Sequence, residues 1–426
     1  AGQPAVRTRS GSSASVPPPL AVAATPATPR PELRPGAAVV LAGLKFEITC
    51  PLGVGSYGTV WGAAGSDGAA VAIKEISCRS RAELANAHFE GDLLRRLGLL
   101  ADERGPQEIA AAAPARADGA QADTPASAAS CSGAGPEGRI PKLVALETES
   151  ARHESRVRIA MSRIPGMPLQ VLLEARRSER CSSAIRRQSS SAQQAPPGVP
   201  ELLAEPCGFA RELVAQLAPA LERITALAYH RDVNPRNILV DAGDGSTLSY
   251  GLVDFGMAVD CQRWTVGQDP KLSRNGAWEY LEVGGDCRYW PVSAWIMFLH
   301  GPQELTPGSS LRLEYQTQLD LHALGVTALQ VFVEFLPGLA GYNGASAEHH
   351  ELIEGLRTLQ VTWEQYWEDA SALWGRLVSC FTTGGDWNEL KTECINRHVE
   401  DSLNWDLIKL RDAITQVTLA CGHLPQ

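Results

Sequence analysis

Two short polar segments, close together along the chain, constrain its folding more than any other feature. The first covers residues 230–237 (His-Arg-Asp-Val-Asn-Pro-Arg-Asn), and the second is Asp254-Phe255-Gly256. Two short apolar runs lie between them and flank an Asp-Gly sequence, a pattern that predicts a β-hairpin with a tight turn. Because a hairpin brings its outer ends together, we expect Asn237 and Asp254 to lie close in space, although 17 positions separate them.

The residue types in these segments suit metal-assisted phosphoryl transfer. That reaction needs a group that accepts the proton of a hydroxyl and oxygen ligands that hold Mg²⁺ beside the phosphates. Asp232 is the predicted base, and Asn237 and Asp254 are the predicted metal ligands. A His-Arg-Asp sequence can arise in a loop by chance, but the second segment at this spacing makes chance a poor explanation.

The overall composition excludes some classes of protein. The 426 residues are 44% hydrophobic, enough for one large domain or two smaller ones with a real core. A net charge of −10 disfavours a nucleic-acid binder that relies on a general basic field, and no apolar run is long enough to predict a transmembrane helix. Ten cysteines without a C-x-x-C pair slightly favour a reducing, cytoplasmic compartment. Secretion stays open, because the first residue is Ala and a processed N-terminus would hide a targeting segment.

A glycine-rich segment lies near the start of the predicted fold. Structure is expected to begin near Ala38, and residues 52–61 then carry the pattern Gly-x-Gly-x-x-Gly. Alone this pattern is weak, but a strand rather than a helix is predicted after its third glycine, which disfavours a dinucleotide-binding fingerprint. The segment instead fits a flap whose backbone lies over the phosphates of ATP.

A predicted strand and a predicted helix follow the glycine-rich segment. The strand ends in Lys74 after three apolar residues, and the helix, residues 81–97, repeats its apolar residues with a period near 3.6. Two glutamates of this helix, Glu83 and Glu90, are candidate partners for the lysine.

Together these residues resemble the eukaryotic protein kinase superfamily, as a divergent member of the Ser/Thr type. The catalytic-loop pattern of that family is matched at His230, Arg231, Asp232 and Asn237. The resemblance implies an α+β, bilobal protein-kinase-like fold, with a small β-rich N-lobe that contains one key helix and a larger, mainly α-helical C-lobe. It also implies ATP and Mg²⁺ as cofactors and protein substrates as partners.

The resemblance assigns roles to further residues. Lys74 would hold the α- and β-phosphates, and Glu90 is preferred over Glu83 as its partner. Nucleotide contacts are expected from Leu52, Gly53, Gly55, Ser56, Gly58, Val60, Ala72, Lys74, Met161, Ser162 and Ile164. Structural roles are expected from His230, Arg231, Phe255, Gly256 and Asp320. Asp320 would cap backbone amides of the catalytic loop, or it is merely an acidic residue at the start of its helix.

The sequence departs from the family pattern at two places. Asn234 stands where Ser/Thr-type members carry a lysine; it stays a catalytic candidate, because its amide can donate a hydrogen bond to a phosphate or substrate oxygen. The Ala-Pro-Glu of the family is replaced around residues 290–293, so the activation segment must be anchored differently, with tryptophans as candidates. Arg231 precedes the predicted base as in kinases switched on by phosphorylation, and Thr265 or Ser273 is the candidate phosphate site.

The predicted organisation has three parts. Residues 1–37 are a disordered Ala/Pro/Ser-rich tail, residues 38–161 the N-lobe and residues 162–426 the C-lobe. A low-complexity insertion is predicted at 101–139 and a basic, Ser-rich insertion at 176–200, interpreted as solvated, although its arginines also suit the substrate site of a basophilic kinase. The activation segment is expected at about 254–295.

Local patterns predict the remaining elements. Strands are expected at 140–147 and 157–161, and helices at 169–175, 209–223 and 318–335. Pro219 is expected to kink or break the second of these helices. No further chemistry is predicted in the Trp-containing helical scaffold that follows.

The predicted function is Ser/Thr protein phosphorylation with ATP and Mg²⁺. Pro235 follows the pattern of the Ser/Thr branch. The alternative from another class is a pseudokinase that binds nucleotide or partner proteins as a scaffold, favoured by Asn234 and by the lost Ala-Pro-Glu. A small-molecule kinase built on the same core is a third hypothesis.

Overall fold

The computed structural model describes residues 33–55, 58–103, 139–150, 154–189, 199–242, 248–265, 276–339 and 347–422. Several predicted features lie outside these residues. They are Ser56, the Asp-Gly turn of the hairpin, Ser273, residues 1–32 of the predicted tail, most of the insertion at 101–139, and residues 190–198 of the basic insertion.

The N-terminal region is rich in β structure. Its strands are β1 (Ala38–Leu41), β2 (Leu44–Gly55), β3 (Gly58–Gly65), β4 (Ala70–Cys78), β5 (Leu143–Ser150) and β6 (Ser155–Ser162). They form an antiparallel sheet in the order β1-β2-β3-β4-β6-β5. A helix, α1 (Arg81–Glu103), follows β4; it is longer than predicted, and β5 begins three residues later than the strand predicted at 140.

Both faces of β4 are buried. Val71 and Ile73 pack into an apolar core that includes Leu33. Ala72 faces the opposite core, which includes Leu93 of α1. Because side chains alternate across a strand, this two-sided packing explains why β4 is an almost continuous apolar run. Leu33 lies within the predicted tail, so ordered structure begins earlier than the sequence predicts.

The C-terminal region is mainly helical. Its helices are α2 (Leu169–Ser189), α3 (Val199–Thr225), α4 (Cys261–Thr265), α5 (Val292–His300), α6 (Ser310–Thr317), α7 (Leu319–Phe335), α8 (Ala347–Thr383), α9 (Trp387–Asn396) and α10 (Val399–Gly422). Short strands lie among them, namely β7 (Met167–Pro168), β8 (Ala228–Tyr229), β9 (Ile238–Asp241), β10 (Ser249–Leu252) and β11 (Val259–Asp260).

The predicted hairpin is confirmed. β9 and β10 pair antiparallel, with Ile238 opposite Leu252. The pairing continues one step further, because the N–H of Val253 donates to the carbonyl of Asn237 at 2.9 Å. Asn237 lies just before β9, and Asp254 lies two residues after the end of β10. The hairpin therefore brings these two residues close together.

Two further helix predictions are wrong in extent. α2 continues to Ser189 rather than ending at residue 175, and α3 runs from Val199 to Thr225 through Pro206 and Pro219 without a break. A proline removes one intrahelical hydrogen bond, at a cost of about 3 kcal/mol. On α3 that cost is offset by burial, since one apolar stripe of the helix is almost inaccessible to solvent; the stripe is Leu213, Leu217, Ala220, Leu221 and Ile224.

Two arginines of the basic segment form ion pairs with a glutamate of the helical region. Glu334 of α7 is only 3% exposed, and it accepts hydrogen bonds from Arg177 Nε at 3.0 Å and from Arg180 Nη2 at 3.1 Å. The prediction that the insertion is solvated from residue 176 is therefore wrong for these two arginines. The buried carboxylate needs both partners, because an unpaired buried charge is strongly destabilising.

The chain thus combines a β-rich N-terminal region with a helical C-terminal region, an α+β arrangement. Among the helices of the described residues, none has the length and apolar character needed to cross a membrane.

Removal of both partners of Glu334 tests this part of the fold. We expect the double variant Arg177→Gln/Arg180→Gln to lower the free energy of unfolding by about 3 kcal/mol, because it strands a buried carboxylate. Adding Glu334→Gln removes the stranded charge and should restore part of the loss. Urea denaturation measures both effects.

The matched control is Arg95→Gln on α1, which removes an exposed arginine paired only with exposed Asp92. Its effect should stay within about 0.5 kcal/mol. An equally small loss in the double variant would mean that residues 176–180 are solvated after all.

Candidate active site

A buried lysine connects three segments of the chain. Lys74 is 4% exposed in β4, and its Nζ lies 2.8 Å and 2.9 Å from the two carboxylate oxygens of Glu90 on α1. The same Nζ lies 2.6 Å from Oδ1 of Asp254. Of the two candidate glutamates, Glu90 is the one that contacts Lys74. Glu83 instead accepts a hydrogen bond from the N–H of Arg79 at the start of α1.

The arrangement at Glu83 is a capping box. Ser80 Oγ accepts a hydrogen bond from the N–H of Glu83, and the Glu83 carboxylate reaches back to the preceding turn. Ser-x-x-Glu before a helix is a recognisable sequence signal. It explains in local terms why Glu83 is not available to the lysine.

The electrostatics of the lysine favour its charged form. Burial alone would lower the pKa of Lys74, but the carboxylates of Glu90 and Asp254 outweigh burial and raise that pKa above its ordinary value. Burial also acts on Asp254, where it raises the pKa, but the charge of Lys74 more than offsets it and the net pKa is lowered. Lys74 and Asp254 are therefore both ionised at neutral pH.

The loop that carries the predicted base is held by α7. Asp320 accepts hydrogen bonds from the N–H groups of His230 and Arg231, each at 2.7 Å, and Arg231 has a positive φ of 66°. The fully buried ring of His230 packs 4.7 Å from the ring of Phe255, and its Nε2 lies 3.2 Å from the carbonyl oxygen of Val253. Burial lowers the pKa of His230, so the ring is neutral at neutral pH.

The carboxylate of Asp232 receives three hydrogen bonds. Oδ1 accepts from Asn234 Nδ2 at 2.9 Å and from the N–H of Asp286 at 3.1 Å, and Oδ2 accepts from Asn237 Nδ2 at 2.8 Å. Burial, followed by the negative charge of Asp254, raises the pKa of Asp232 to about 7. A carboxylate with such a pKa can accept a proton at neutral pH and release it again.

Asn234 acts on this carboxylate. It is 3% exposed; its Nδ2 donates to the carbonyl and to Oδ1 of Asp232, while its Oδ1 accepts from the N–H of Arg236. The sequence suggested that the amide could donate to a phosphate or substrate oxygen. In this arrangement its amide nitrogen is directed at Asp232, which makes Asn234 a positioning residue for the predicted base.

Each predicted metal ligand has one side-chain oxygen that accepts no hydrogen bond within the described residues. Nδ2 of Asn237 donates twice to Asp232, which leaves the amide Oδ1 as the ligand atom. Oδ1 of Asp254 accepts from Lys74 and from the N–H of Gly256. Within the described residues, neither Oδ1 of Asn237 nor Oδ2 of Asp254 accepts a hydrogen bond, and oxygens of this kind fit Mg²⁺.

Mg²⁺ typically uses one or two protein ligands and completes its shell with water and phosphate oxygens. The part of the chain that the structure describes contains no cluster of three or more His, Cys, Asp or Glu residues suited to a metal. The donor set at Asn237 and Asp254 is therefore compatible with a cation that arrives with a nucleotide.

Most of the predicted nucleotide-contacting residues lie on the central strands of the sheet, while Ile164 follows β6. Gly53 pairs with Val60 and Gly55 with Gly58, while Ser56 is outside the described residues. Ala72 on β4 lies directly opposite Met161 on β6, and both are 8% exposed. Leu52, at 40% exposure, is open to a ligand.

Fewer backbone amides of the predicted hinge are open to a nucleotide than the sequence suggests. The N–H of Ser162 donates to the carbonyl of Lys142 at 2.8 Å, and that of Arg163 donates to the carbonyl of Ala70 at 3.2 Å. These two amides are therefore not open to an adenine. The N–H of Ile164 donates no hydrogen bond within the described residues, so it remains the candidate donor of this stretch.

Residues of the predicted activation segment contact Asp232, the predicted base. Besides the N–H of Asp286, Gly285 lies against Asp232 with a positive φ of 84°. A Cβ at Gly285 would lie 2.5 Å from the carbonyl oxygen of Arg231 and 3.0 Å from Oδ1 of Asp232. Only glycine fits here, because the nearest atom is backbone and cannot move aside.

The segment is anchored by aromatic residues, as the lost Ala-Pro-Glu suggested. Trp290 donates from Nε1 to the carbonyl of Gly284 at 2.9 Å. Two tyrosines that the sequence did not single out complete the anchor. Tyr366 on α8 donates to the carbonyl of Arg288 at 2.6 Å, and Tyr289 donates to Gln330 on α7 at 2.8 Å.

Arg231, the candidate partner of a phosphorylated side chain, already contacts two other residues. The guanidinium of Arg231 lies 4.9 Å from the ring centre of Trp264 and donates to the carbonyl of Glu282. The hydroxyl of Thr265 donates to the carbonyl of Cys261 within α4 at 2.8 Å. The role of Thr265 as a phosphate site stays a prediction.

Comparisons with known proteins add little to this description. No family model matches the chain, and no curated protein does. Among solved structures the chain is similar to the structure of vaccinia related kinase 3, with 15% identity, 71% of this chain and 70% of that chain covered, and a TM-score of 0.38. These values are too low to carry an argument, so function rests on the contacts within the chain.

A substitution at Gly285 tests the close approach to the base. We expect Gly285→Ala to lower the free energy of unfolding by about 2 kcal/mol, because both the φ angle and the backbone contact oppose a side chain. The adjacent Gly284→Ala is the control. Its Cβ would meet the terminal methyl of Met257, which can rotate away, so its loss should be smaller. Equal losses in urea denaturation would contradict the proposed packing.

Proposed function

We propose that this protein is a protein kinase that transfers the γ-phosphate of ATP, with Mg²⁺, to Ser/Thr hydroxyls of protein substrates. The observation that carries the proposal is one polar site built from Lys74, Glu90, Asp232 and Asp254, which come from four segments of the chain. Burial and the charge of Asp254 raise the pKa of Asp232 to about 7, and Asp254 in turn pairs with Lys74. Carboxylates perturbed by burial together with a specific charge partner cluster at active sites, which supports the proposal.

In the proposed complex, ATP lies between the β-rich N-terminal region and the helical C-terminal region, which would act as two lobes. Gly53, Gly55 and Gly58 would cover the phosphates, and Lys74 would hold them while Glu90 keeps the lysine in place. Asn237 and Asp254 would hold Mg²⁺, which supplies positive charge to the phosphates when it is bound.

In this proposal the chain's own residues align the reacting groups and accept one proton. Asp232 orients the substrate hydroxyl and takes its proton as the hydroxyl oxygen bonds to the γ-phosphorus and the bond to the bridging oxygen of ADP breaks. Asn234, Asn237 and the N–H of Asp286 fix the carboxylate for this step. Alignment and charge stabilisation would supply most of the rate.

The second candidate is a pseudokinase scaffold. It is favoured by Asn234, which stands in the place of a lysine and whose amide is committed to Asp232. No positive charge from this position is then available to the γ-phosphate, so slow turnover or none is the alternative outcome. A small-molecule kinase is the third hypothesis, since the segment at Gly285 makes an unusual floor for a peptide.

Radiolabel transfer from [γ-³²P]ATP separates these functions. With Mg²⁺ and generic protein substrates, we expect the parent to label substrate or itself, and Asp232→Asn and Lys74→Met to fall by about 100-fold or more. Arg411→Gln, which changes an exposed arginine on α10, is the control and should retain activity. Equal label in all four proteins would indicate a contaminant. Thermal stabilisation by nucleotide without transfer would favour the scaffold.

The pKa of Asp232 makes a pH prediction. Below about pH 7 its carboxyl is increasingly protonated and cannot accept the hydroxyl proton. We therefore expect kcat/KM for peptide to fall about tenfold per unit below pH 7 and to level off above it. Mg·ATP affinity measured at each pH controls for titration of the nucleotide. A profile that is flat down to pH 5.5 would exclude Asp232 as the base with this pKa.

A further inference from the structure

An exposed arginine lies beside the candidate base. Arg236, two residues after Asn234, has a side chain that is 48% exposed. Its Nε donates to Oε1 of Gln170 at 2.9 Å, and its Nη2 lies 3.6 Å from Oδ2 of Asp286, beyond hydrogen-bond distance. Within the described residues, the two terminal nitrogens make no hydrogen bond, so four N–H donors are left for a ligand.

The acidic neighbour of Arg236 is already neutralised. Asp286 is 6% exposed and binds Arg288 through both carboxylate oxygens, with Arg288 Nε at 2.9 Å from Oδ1. Arg236 is thus a second cation beside one buried carboxylate. Two further acidic residues belong to the neighbouring contacts. Gln170, the partner of Arg236, donates to Glu174 at 2.6 Å, and the carbonyl of exposed Glu282 binds Arg231.

The guanidinium is also held in place. Its Cζ lies 5.8 Å from the ring centre of Trp374 on α8, and Arg288 lies 6.0 Å from the same ring. An arginine whose Nε is bonded and whose plane meets an aromatic ring loses less entropy when it binds than a freely rotating side chain does. About half of its side chain is open to solvent.

One residue, Asp286, connects Arg236 with the candidate base. The N–H of Asp286, the residue whose carboxylate faces Arg236, donates to Oδ1 of Asp232 at 3.1 Å. Because Asp286 contacts both residues, a substrate whose hydroxyl reaches Asp232 would carry the residues next to its acceptor past Arg236.

We propose that Arg236 selects protein substrates that carry an anionic side chain near the acceptor hydroxyl. A carboxylate or a phosphoryl group offers paired oxygens that match the donors of a guanidinium. This deepens the proposed kinase function and rests on it for turnover, but binding of the anionic segment does not require turnover.

Peptide binding tests the proposal directly. Fluorescent peptides have Ala at the acceptor position and either Glu or phosphoserine at each position from four before to four after it, with Gln and Lys peptides for comparison. We expect the best Glu or phosphoserine peptide to bind the full chain about tenfold more tightly than its Gln counterpart at low salt, and less so at high salt. The two series distinguish carboxylate from phosphoryl recognition.

Two variants and a control locate the effect. Arg236→Gln should reduce the preference for anionic peptides to about twofold or less, and Arg236→Glu should shift it toward Lys peptides. Arg411→Gln, with the same charge change on a distant exposed site, should leave the preference intact. Absence of any anionic preference in the parent, or an equal preference in Arg236→Gln, would overturn the proposal.

Turnover separates this proposal from the proposed function. With Ser in place of Ala, the same preference should appear in kcat/KM, mainly through KM. Anionic preference in binding without phosphoryl transfer would reject the kinase function and keep Arg236 as a recognition residue. Transfer without anionic preference would reject the role of Arg236 and keep the kinase.

Discussion

The structure depends on one buried ammonium group shared between two carboxylates. A buried ammonium group without partners would strongly destabilise an apolar sheet. For Lys74, the carboxylates of Glu90 on α1 and Asp254 after the hairpin offset that effect. Glu90 also accepts a hydrogen bond from the backbone of Phe255. The position of α1, the depth of β4 and the conformation of residues 254–256 are therefore fixed together. Rotation of α1 would remove a partner from the lysine and from Phe255 at once.

A second buried carboxylate holds the other half of the site. Asp320, 3% exposed, binds the N–H groups of two consecutive residues of the catalytic loop, and one of them, Arg231, has a φ angle that costs energy outside glycine. Asp254 shows the same departure, with a φ of 64°. Both strained residues adjoin groups that the proposed reaction uses. The hydrogen bonds to Asp320 and Lys74 keep those conformations populated, so the strain is retained where the geometry of the site requires it.

The parts of this arrangement that sequence could predict are those set by local pattern. The hairpin follows from two apolar runs around an Asp-Gly turn, and α1 follows from its helical period. The choice of Glu90 over Glu83 rested on the resemblance to kinases. The extent of α2 could not be predicted, because its arginines look solvated until Glu334, 157 residues from Arg177, is brought beside them. The contact of Gly285 and Asp286 with Asp232 likewise has no local signal, since it depends on how the activation segment folds back.

The distribution of charge around Asp232 links the departure from the kinase pattern to the proposed selectivity. Where the family carries a lysine, Asn234 holds the base and adds no charge, so in the proposed mechanism Lys74 and Mg²⁺ alone face the phosphates. Two residues later the chain places Arg236, which is half exposed and whose terminal nitrogens make no hydrogen bond within the described residues. In the proposed complex, position 234 therefore adds no positive charge toward the phosphates, and Arg236 would add one on the substrate side of Asp232. A site of this kind is expected to stabilise the phosphates less and to discriminate more strongly between substrates. The triphosphate repels an anionic substrate segment, so that segment needs a local cation to approach.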